Sequence, residues 1–353
     1  MRDAVSRDAG GPVRPARLRE GATIAVLSTS WGGPAAFPGV YDAGVAALRE
    51  RLGLEVREYP TTRWSPAALA ADPAARAADL VAAFEDDDVD GIVASIGGDD
   101  SARVVRLLDA RRIAAHPKVL MGYSDTTTQL WFCHRAGMVT FHGPSVMAGL
   151  AQLASFPAAE AHVRALLFEP TAQYDYEPYD EWVDGYADWS SGATSEVGPR
   201  RAHDGWRWLH TPRRAQGRLL GGCIEVLEFM KGSPQWPEPS FFDGRLLFLE
   251  TSEEQPSVAQ VRRWLFNYGI QGIFERISGL LVGRARGYGD DEKRRLDDAV
   301  LETVVGQFGA SDVTIVTNMD FGHTDPQWVL PLGVLAALDP EERSFRLLEP
   351  AVD

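Results

Sequence analysis

Short apolar runs that stop on glycine or a small polar residue, each followed by a helical period, recur through the first part of the chain. Thr23-Ile24-Ala25-Val26-Leu27-Ser28 is the first, and it leads to Gly32-Gly33. Tyr41–Leu52 then carries apolar residues at Tyr41, Val45, Leu48 and Leu52, the spacing of one helix face. Leu54–Tyr59 alternates like a second strand, and Ala67–Phe84 is an alanine-rich helix carrying Arg76 and Asp79. Asp90–Ile96 is a third strand, ending at Gly97-Gly98-Asp99-Asp100-Ser101, and Arg103–Leu108 follows as a helix. Lys118–Met121 is a fourth short strand, with an apolar-periodic helix behind it at Leu130, Trp131, Cys133 and His134. Runs apolar on both faces suit parallel strands covered on both sides. The alternation predicts an α/β chain whose N-terminal domain is a doubly wound, mostly parallel sheet. Ligands of such sheets gather at the carboxyl ends of the strands, where Ser28, Gly97-Gly98 and Ser124 all fall.

The chain has 353 residues, of which 45% are hydrophobic, enough for two domains. Met138–Pro144 reads as a further strand and turn, and Ala151–Phe168 as a helix that marks the domain change. Residues 170–214 differ in character: Tyr174, Tyr176, Tyr179, Trp182, Tyr186, Trp189, Trp206 and Trp208 are interleaved with Asp, Glu, Gly and Ser. Such a stretch suits a small β-rich region, or a loop whose Trp182 and Trp189 cover a pocket and stack on a ligand. Gly217–Gly222, Arg245–Leu249, Ile277–Val282 and Asp312–Val316 read as strands with helices at Ile224–Lys231, Val258–Gly269 and Leu296–Phe308 between them. The end, Val329–Val334, Ala336–Leu338 and Phe345–Leu348, reads as a β-meander. The expected division is a disordered leader over 1–20, an α/β domain over 21–150, a linker helix and aromatic region over 151–215, and a β-rich domain with helices over 216–353.

The formal net charge of −15 and the lack of a basic stripe speak against nucleic-acid and anionic-membrane binding. Two cysteines, Cys133 and Cys223, imply no disulfide framework. The seven histidines are scattered, and no Cys/His cluster has metal-ligand spacing, so no metal site is expected. Residues 1–20 are polar and rich in Arg, Gly and Pro, unlike a signal peptide. No apolar run reaches membrane-spanning length. A cytoplasmic protein is expected.

Lys118–Met121 gives way to Gly122-Tyr123-Ser124-Asp125-Thr126-Thr127. A serine on a strand-to-helix turn projects its hydroxyl above the sheet edge, beside backbone N–H groups that stabilise negative charge. Ser124 or Asp125 could equally be a plain N-cap. Glu250 follows the strand Arg245–Leu249, and His323 follows Asp312–Val316 in a Gly-His-Thr-Asp-Pro turn. A hydroxyl is a weak nucleophile that needs a base, histidine serves near neutral pH, and a carboxylate fixes the imidazole. Glu250 could instead cap the next helix, and His323 could bond Asp320 or Asp325.

Ile96-Gly97-Gly98-Asp99-Asp100-Ser101, Gly122-Tyr123-Ser124-Asp125, Leu249-Glu250-Thr251-Ser252-Glu253 and Gly322-His323-Thr324-Asp325-Pro326 resemble, in order, the motifs of the serine peptidase family of L,D-carboxypeptidases. The segment with Trp182 and Trp189 resembles the branch of the microcin C immunity peptidases. The other branch comprises the enzymes of cell-wall muropeptide recycling. The resemblance implies two domains with the active site between them, Ser124 as nucleophile, His323 as base and Glu250 as its orienter. It implies an oxyanion site from the backbone amides of Gly98 and Asp125, substrate contacts from Asp99, Ser101, Trp182 and Trp189, and no metal or organic cofactor. The implied substrate is a small peptide or an aminoacyl-nucleotide-like conjugate, and the implied assembly a homodimer. One departure stands out: the microcin branch carries a basic residue about one helical turn after the catalytic glutamate, where this chain has Glu253-Glu254-Gln255. A carboxylate there repels a nucleotide phosphate. The reading from another class is a non-catalytic ligand-binding protein, which would not need a serine, a histidine and a glutamate together at strand ends.

Overall fold

In the computed structural model, which describes residues 11–353, the predicted strand–helix alternation appears as a parallel layer. Strands β1 (Thr23–Leu27), β2 (Glu55–Glu58), β3 (Gly91–Ala94), β4 (Val119–Gly122) and β5 (Thr140–His142) pair in the spatial order β2-β1-β3-β4-β5, all parallel. This is a doubly wound order whose topological switch lies between β1 and β3, where a crevice opens at the carboxyl ends. The middle strands are buried along their length, in keeping with their unbroken apolar runs.

The aromatic region supplies β6 (Tyr174–Tyr176), β7 (Glu181–Trp182), β8 (Arg201–Ala202) and β9 (Arg207–His210). The next four strands, β10 (Ala215–Cys223), β11 (Leu246–Glu250), β12 (Gly279–Gly283) and β13 (Thr314–Met319), run parallel to one another. The last three are β14 (Leu330–Leu332), β15 (Leu335–Asp339) and β16 (Ser344–Leu347). Among the described residues an eight-stranded sheet forms in the order β6-β16-β15-β10-β11-β12-β13-β9, and β7 pairs only with β8. The second half is thus a mixed sheet around a parallel centre, with helices such as Ile224–Met230 and Val258–Ile270 between its strands.

Two expectations need correction. The end of the chain is not one meander: β14 lies antiparallel on β5, in the first sheet, while β15 and β16 stay in the second. Leu330, Pro331 and Leu332 are buried there, and an apolar run does not reveal which of two sheets it completes. The leader is not free over its whole length either. Residues 1–10 lie outside the described residues. From there on, Val13 bridges to Met138, the Arg17 N–H donates to the Asp353 carbonyl, and Leu18 is buried.

The two sheets meet along the helix Thr127–Arg135. Trp131 is fully buried, stacks on Trp236 at 5.4 Å, and donates its indole N–H to the Gly221 carbonyl at 2.8 Å. Gly222 has φ 151°, and a Cβ there would stand 2.5 Å from a Thr127 methyl. A bare backbone lets β10 close on this helix, which brings the carboxyl ends of both sheets together. No helix of the described residues is long and apolar enough to cross a membrane.

Candidate active site

The serine sits on a strained turn. β4 ends at Gly122, Ser124 has φ 56°, and a single 3₁₀ turn, Ser124–Thr126, leads into the helix Thr127–Arg135. A left-handed backbone at a non-glycine residue costs energy and persists only where its surroundings impose it. Here they do. The Asp125 carboxylate accepts from the Ser30 hydroxyl at 2.5 Å and the Ser101 N–H at 2.8 Å, which ties the loops after β1, β3 and β4 into one knot. Fully buried Arg76 reinforces it, donating to the Ser30 carbonyl at 3.2 Å and pairing with Asp100 at 2.6 Å. Among the described residues Ser124 Oγ makes no hydrogen bond and caps nothing, so the capping alternative does not hold for it.

Glu250 closes β11 and His323 lies in the loop after β13. His323 Nδ1 is bonded to Glu250 Oε2 at 2.6 Å, with both side chains buried. The structural alternatives fail: Ser257 and Gln260 cap the next helix, and Asp320 is held by Arg284 and Trp206. Glu250 Oε1 faces His142 Nε2 at 4.0 Å. Burial pulls His142 down to about 4, so it is neutral beside the carboxylate. Burial also pulls His323 down, but the charge and hydrogen bond of Glu250, with a second contribution from Glu253, push it up to about 10. Glu253 is the unexpected member: its Oε2 lies 2.9 Å from His323 Nε2, in an ion-pair contact that lacks the angle of a directed hydrogen bond. Its side chain is 45% exposed. Burial raises its carboxyl, and the His323 contact and Arg286 outweigh this and hold it at about 2.

Ser124, His323 and Glu253 line one cleft with Trp31, Ile96, Gly97, Gly98, Tyr123, Tyr186 and Trp189. Its volume of about 320 Å³ is at the small end for small-molecule sites. Gly97 and Gly98 form the wall beside the serine. A Cβ on Gly97 would stand 2.8 Å from Ser124 Oγ, and one on Gly98, whose φ is 151°, 2.2 Å from Ser30 Oγ. Asp125 N lies 3.4 Å from that first Cβ position. As an amide of the first turn it has no acceptor within the helix.

The four residues expected to contact substrate separate. Trp189 lines the cleft, stacked on Tyr186 at 4.3 Å. Trp182 does not: it is 2% exposed, with its N–H on the Ala202 carbonyl and Arg284 and Lys293 against its ring at 4.7 and 4.5 Å. Its polar sequence neighbours misled, because cations rather than aliphatic groups bury it. Ser101 is also buried, its hydroxyl bonded to the Asp125 carbonyl and Thr128; it supports the serine turn. Asp99 is exposed and outside the cleft lining. Trp31, Tyr123 and Tyr186 were missed as lining residues. For Trp31 the signal existed, since it follows the carboxyl end of β1. Among the described residues no group of three or more His, Cys, Asp or Glu side chains could hold a metal ion.

The sequence profile of the LD-carboxypeptidase N-terminal domain matches residues 24–143, and that of the LD-carboxypeptidase C-terminal domain matches 216–338. A carboxypeptidase-family protein of Streptomyces coelicolor is 31% identical over 96% of this chain and 97% of its own length. A microcin self-immunity protein of Escherichia coli is 26% identical over 74% of each chain. The crystal structure of an MccF-like protein from Streptococcus pneumoniae in complex with AMP superposes with a TM-score of 0.81 and 28% identity, covering 92% of this chain and 98% of that one. With both halves of the fold matched in order and one relative aligned almost end to end, the chain belongs to the LD-carboxypeptidase family and is a serine-type carboxypeptidase.

Proposed function

We propose that this protein cleaves an amide bond of a small peptide or aminoacyl conjugate through Ser124, His323 and Glu250. The observation that carries this reading is the 2.6 Å bond from His323 Nδ1 to Glu250, at the wall of the cleft that holds Ser124. In the proposed cycle His323 Nε2 takes the Ser124 proton as Oγ attacks the carbonyl carbon. The Gly98 and Asp125 N–H groups stabilise the oxyanion. The C–N bond then breaks, and the same proton passes from His323 to the leaving amine. Water, deprotonated by His323, hydrolyses the acyl-serine, and the proton returns to Ser124. Glu250 keeps the Nδ1 proton in place and stabilises the imidazolium.

The cleft takes a small ligand, flanked by the Tyr186–Trp189 pair and Trp31. The candidate substrates are an aminoacyl conjugate with a flat leaving group and a muropeptide with an L,D bond. Glu253 in the cleft disfavours a phosphate. The units over 21–150 and 216–353, a cytoplasmic location and a homodimeric state belong to the same proposal, supported by composition and by the family resemblance. A hydrolysis panel of tetrapeptide muropeptides against aspartyl and glutamyl sulfamoyl-adenylates tests it. Turnover of one class, lost in Ser124→Ala, supports the reading, and turnover kept by Ser124→Ala refutes it.

The two tryptophans give a sharper expectation. Trp182→Ala removes a buried ring and should cost about 3–5 kcal/mol of stability, read as a clear drop in melting temperature. Trp189→Ala should melt near wild type and lose about tenfold in kcat/KM on a substrate with a flat leaving group, since stacking contributes roughly 1–3 kcal/mol. Equal effects of both changes on melting would remove Trp189 from the substrate site.

A further inference from the structure

The resting cleft presents a problem for its own chemistry. His323 lies between two carboxylates, Glu250 on Nδ1 and Glu253 on Nε2, at 2.6 and 2.9 Å. A histidine so placed is held as imidazolium and cannot accept a proton. Nε2 is also the nitrogen that must face Ser124 Oγ, and Glu253 stands on it. Something in the catalytic cycle has to take the Glu253 carboxylate away.

Glu253 has what a cation-binding residue needs. It is half-exposed at the wall of the cleft and ionised. The charged and titratable groups around it are His323 in contact, Arg286, whose guanidinium is engaged over the Tyr186 ring at 4.7 Å, and the phenols of Tyr123 and Tyr186. The distances limit where an incoming cation can sit. A base lies about 3 Å from its nucleophile, and the nucleophile about 3–3.5 Å from the carbon it attacks. With the 2.9 Å from Glu253 to His323 Nε2 added, the Glu253 carboxylate lies within about 9 Å of the reacting carbonyl carbon when the site is assembled. An α-ammonium on the acyl residue, the cation nearest to that carbon in an aminoacyl amide, falls within that reach.

We propose that Glu253 recognises a free α-ammonium on the acyl residue of the substrate, and that this ammonium replaces the imidazolium as its partner and so frees His323 to act as base. The inference rests on the serine mechanism above and narrows its substrate to unblocked aminoacyl amides. The exchange balances. One cation replaces another at Glu253, and His323 Nε2 gives its proton to water before taking the proton of Ser124.

The test compares alanyl p-nitroanilide with N-acetylalanyl p-nitroanilide in wild type, Glu253→Gln and Ser124→Ala. Wild type should prefer the free amine at least tenfold in kcat/KM. In Glu253→Gln the preference should fall to about threefold or less, chiefly by faster cleavage of the acetylated substrate, whose base is no longer held by that carboxylate. A structural role of Glu253 would lower both substrates together and keep the ratio. Where turnover is slow, calorimetric binding of both compounds to Ser124→Ala and to the Ser124→Ala/Glu253→Gln pair reads the same preference. A wild-type protein indifferent to acetylation, or a preference that survives Glu253→Gln, overturns the inference. Hydrolysis that persists in Ser124→Ala instead overturns the serine mechanism.

Discussion

Ser124→Ala lowers kcat by about 10⁴–10⁶, His323→Ala does nearly the same, and the double variant is hardly worse than either single one. Non-additivity is the expected signature because His323 is the base proposed for Ser124. Ser124 Oγ makes no hydrogen bond among the described residues, and His323 lies across the same cleft. Glu250→Gln belongs to the series. It keeps the shape but removes the charge that fixes the Nδ1 proton, so it should also lower kcat by orders of magnitude. Its partner His323 is buried and bonded to it, so melting temperatures should accompany the kinetics. Single losses that simply added in the double variant would argue against one coupled unit.

Gly97→Ala is the second large effect, and it acts through space alone. Gly97 is not among the positive-φ glycines, so alanine fits its backbone. Its methyl would stand 2.7 Å from Ser124 Cβ, 2.8 Å from Ser124 Oγ and 3.4 Å from the Asp125 amide nitrogen. The methyl both pushes the nucleophile and covers an oxyanion donor. Loss of one such donor costs about 10²–10³ in kcat, and a displaced serine adds to that. The fold should hold, because the methyl points into the cleft and not into the core. A variant with near-wild-type kcat would place the oxyanion site elsewhere. One that melts far below wild type would make Gly97 a folding residue.

The residues of the proposed catalytic frame were visible in the sequence because strand ends are readable. Glu250 closes β11, and Ser124 and His323 lie in the loops just beyond β4 and β13; in a parallel sheet those ends converge. The glycine pair was readable for the same reason. Other features depend on contacts that periodicity does not encode. Leu330–Leu332 is apolar whichever sheet it completes, and only the fold shows it crossing to β5. Trp182 has acidic sequence neighbours, and its burial comes from Arg284 and Lys293, about a hundred residues away. Ser101 looked like a ligand contact but holds the helix behind Ser124. Glu253 was visible as a charge reversal, and its position on His323 Nε2 was not.

The central claim is that Ser124 is acylated during turnover. Acid-quenched reactions with a slowly hydrolysed aminoacyl substrate, digested and read by mass spectrometry, test it directly. The account predicts a mass increase equal to the acyl group on the peptide containing Ser124, present in wild type and absent from Ser124→Ala. Turnover under the same conditions with the adduct on another residue, or with no covalent adduct at any quench time, would contradict it.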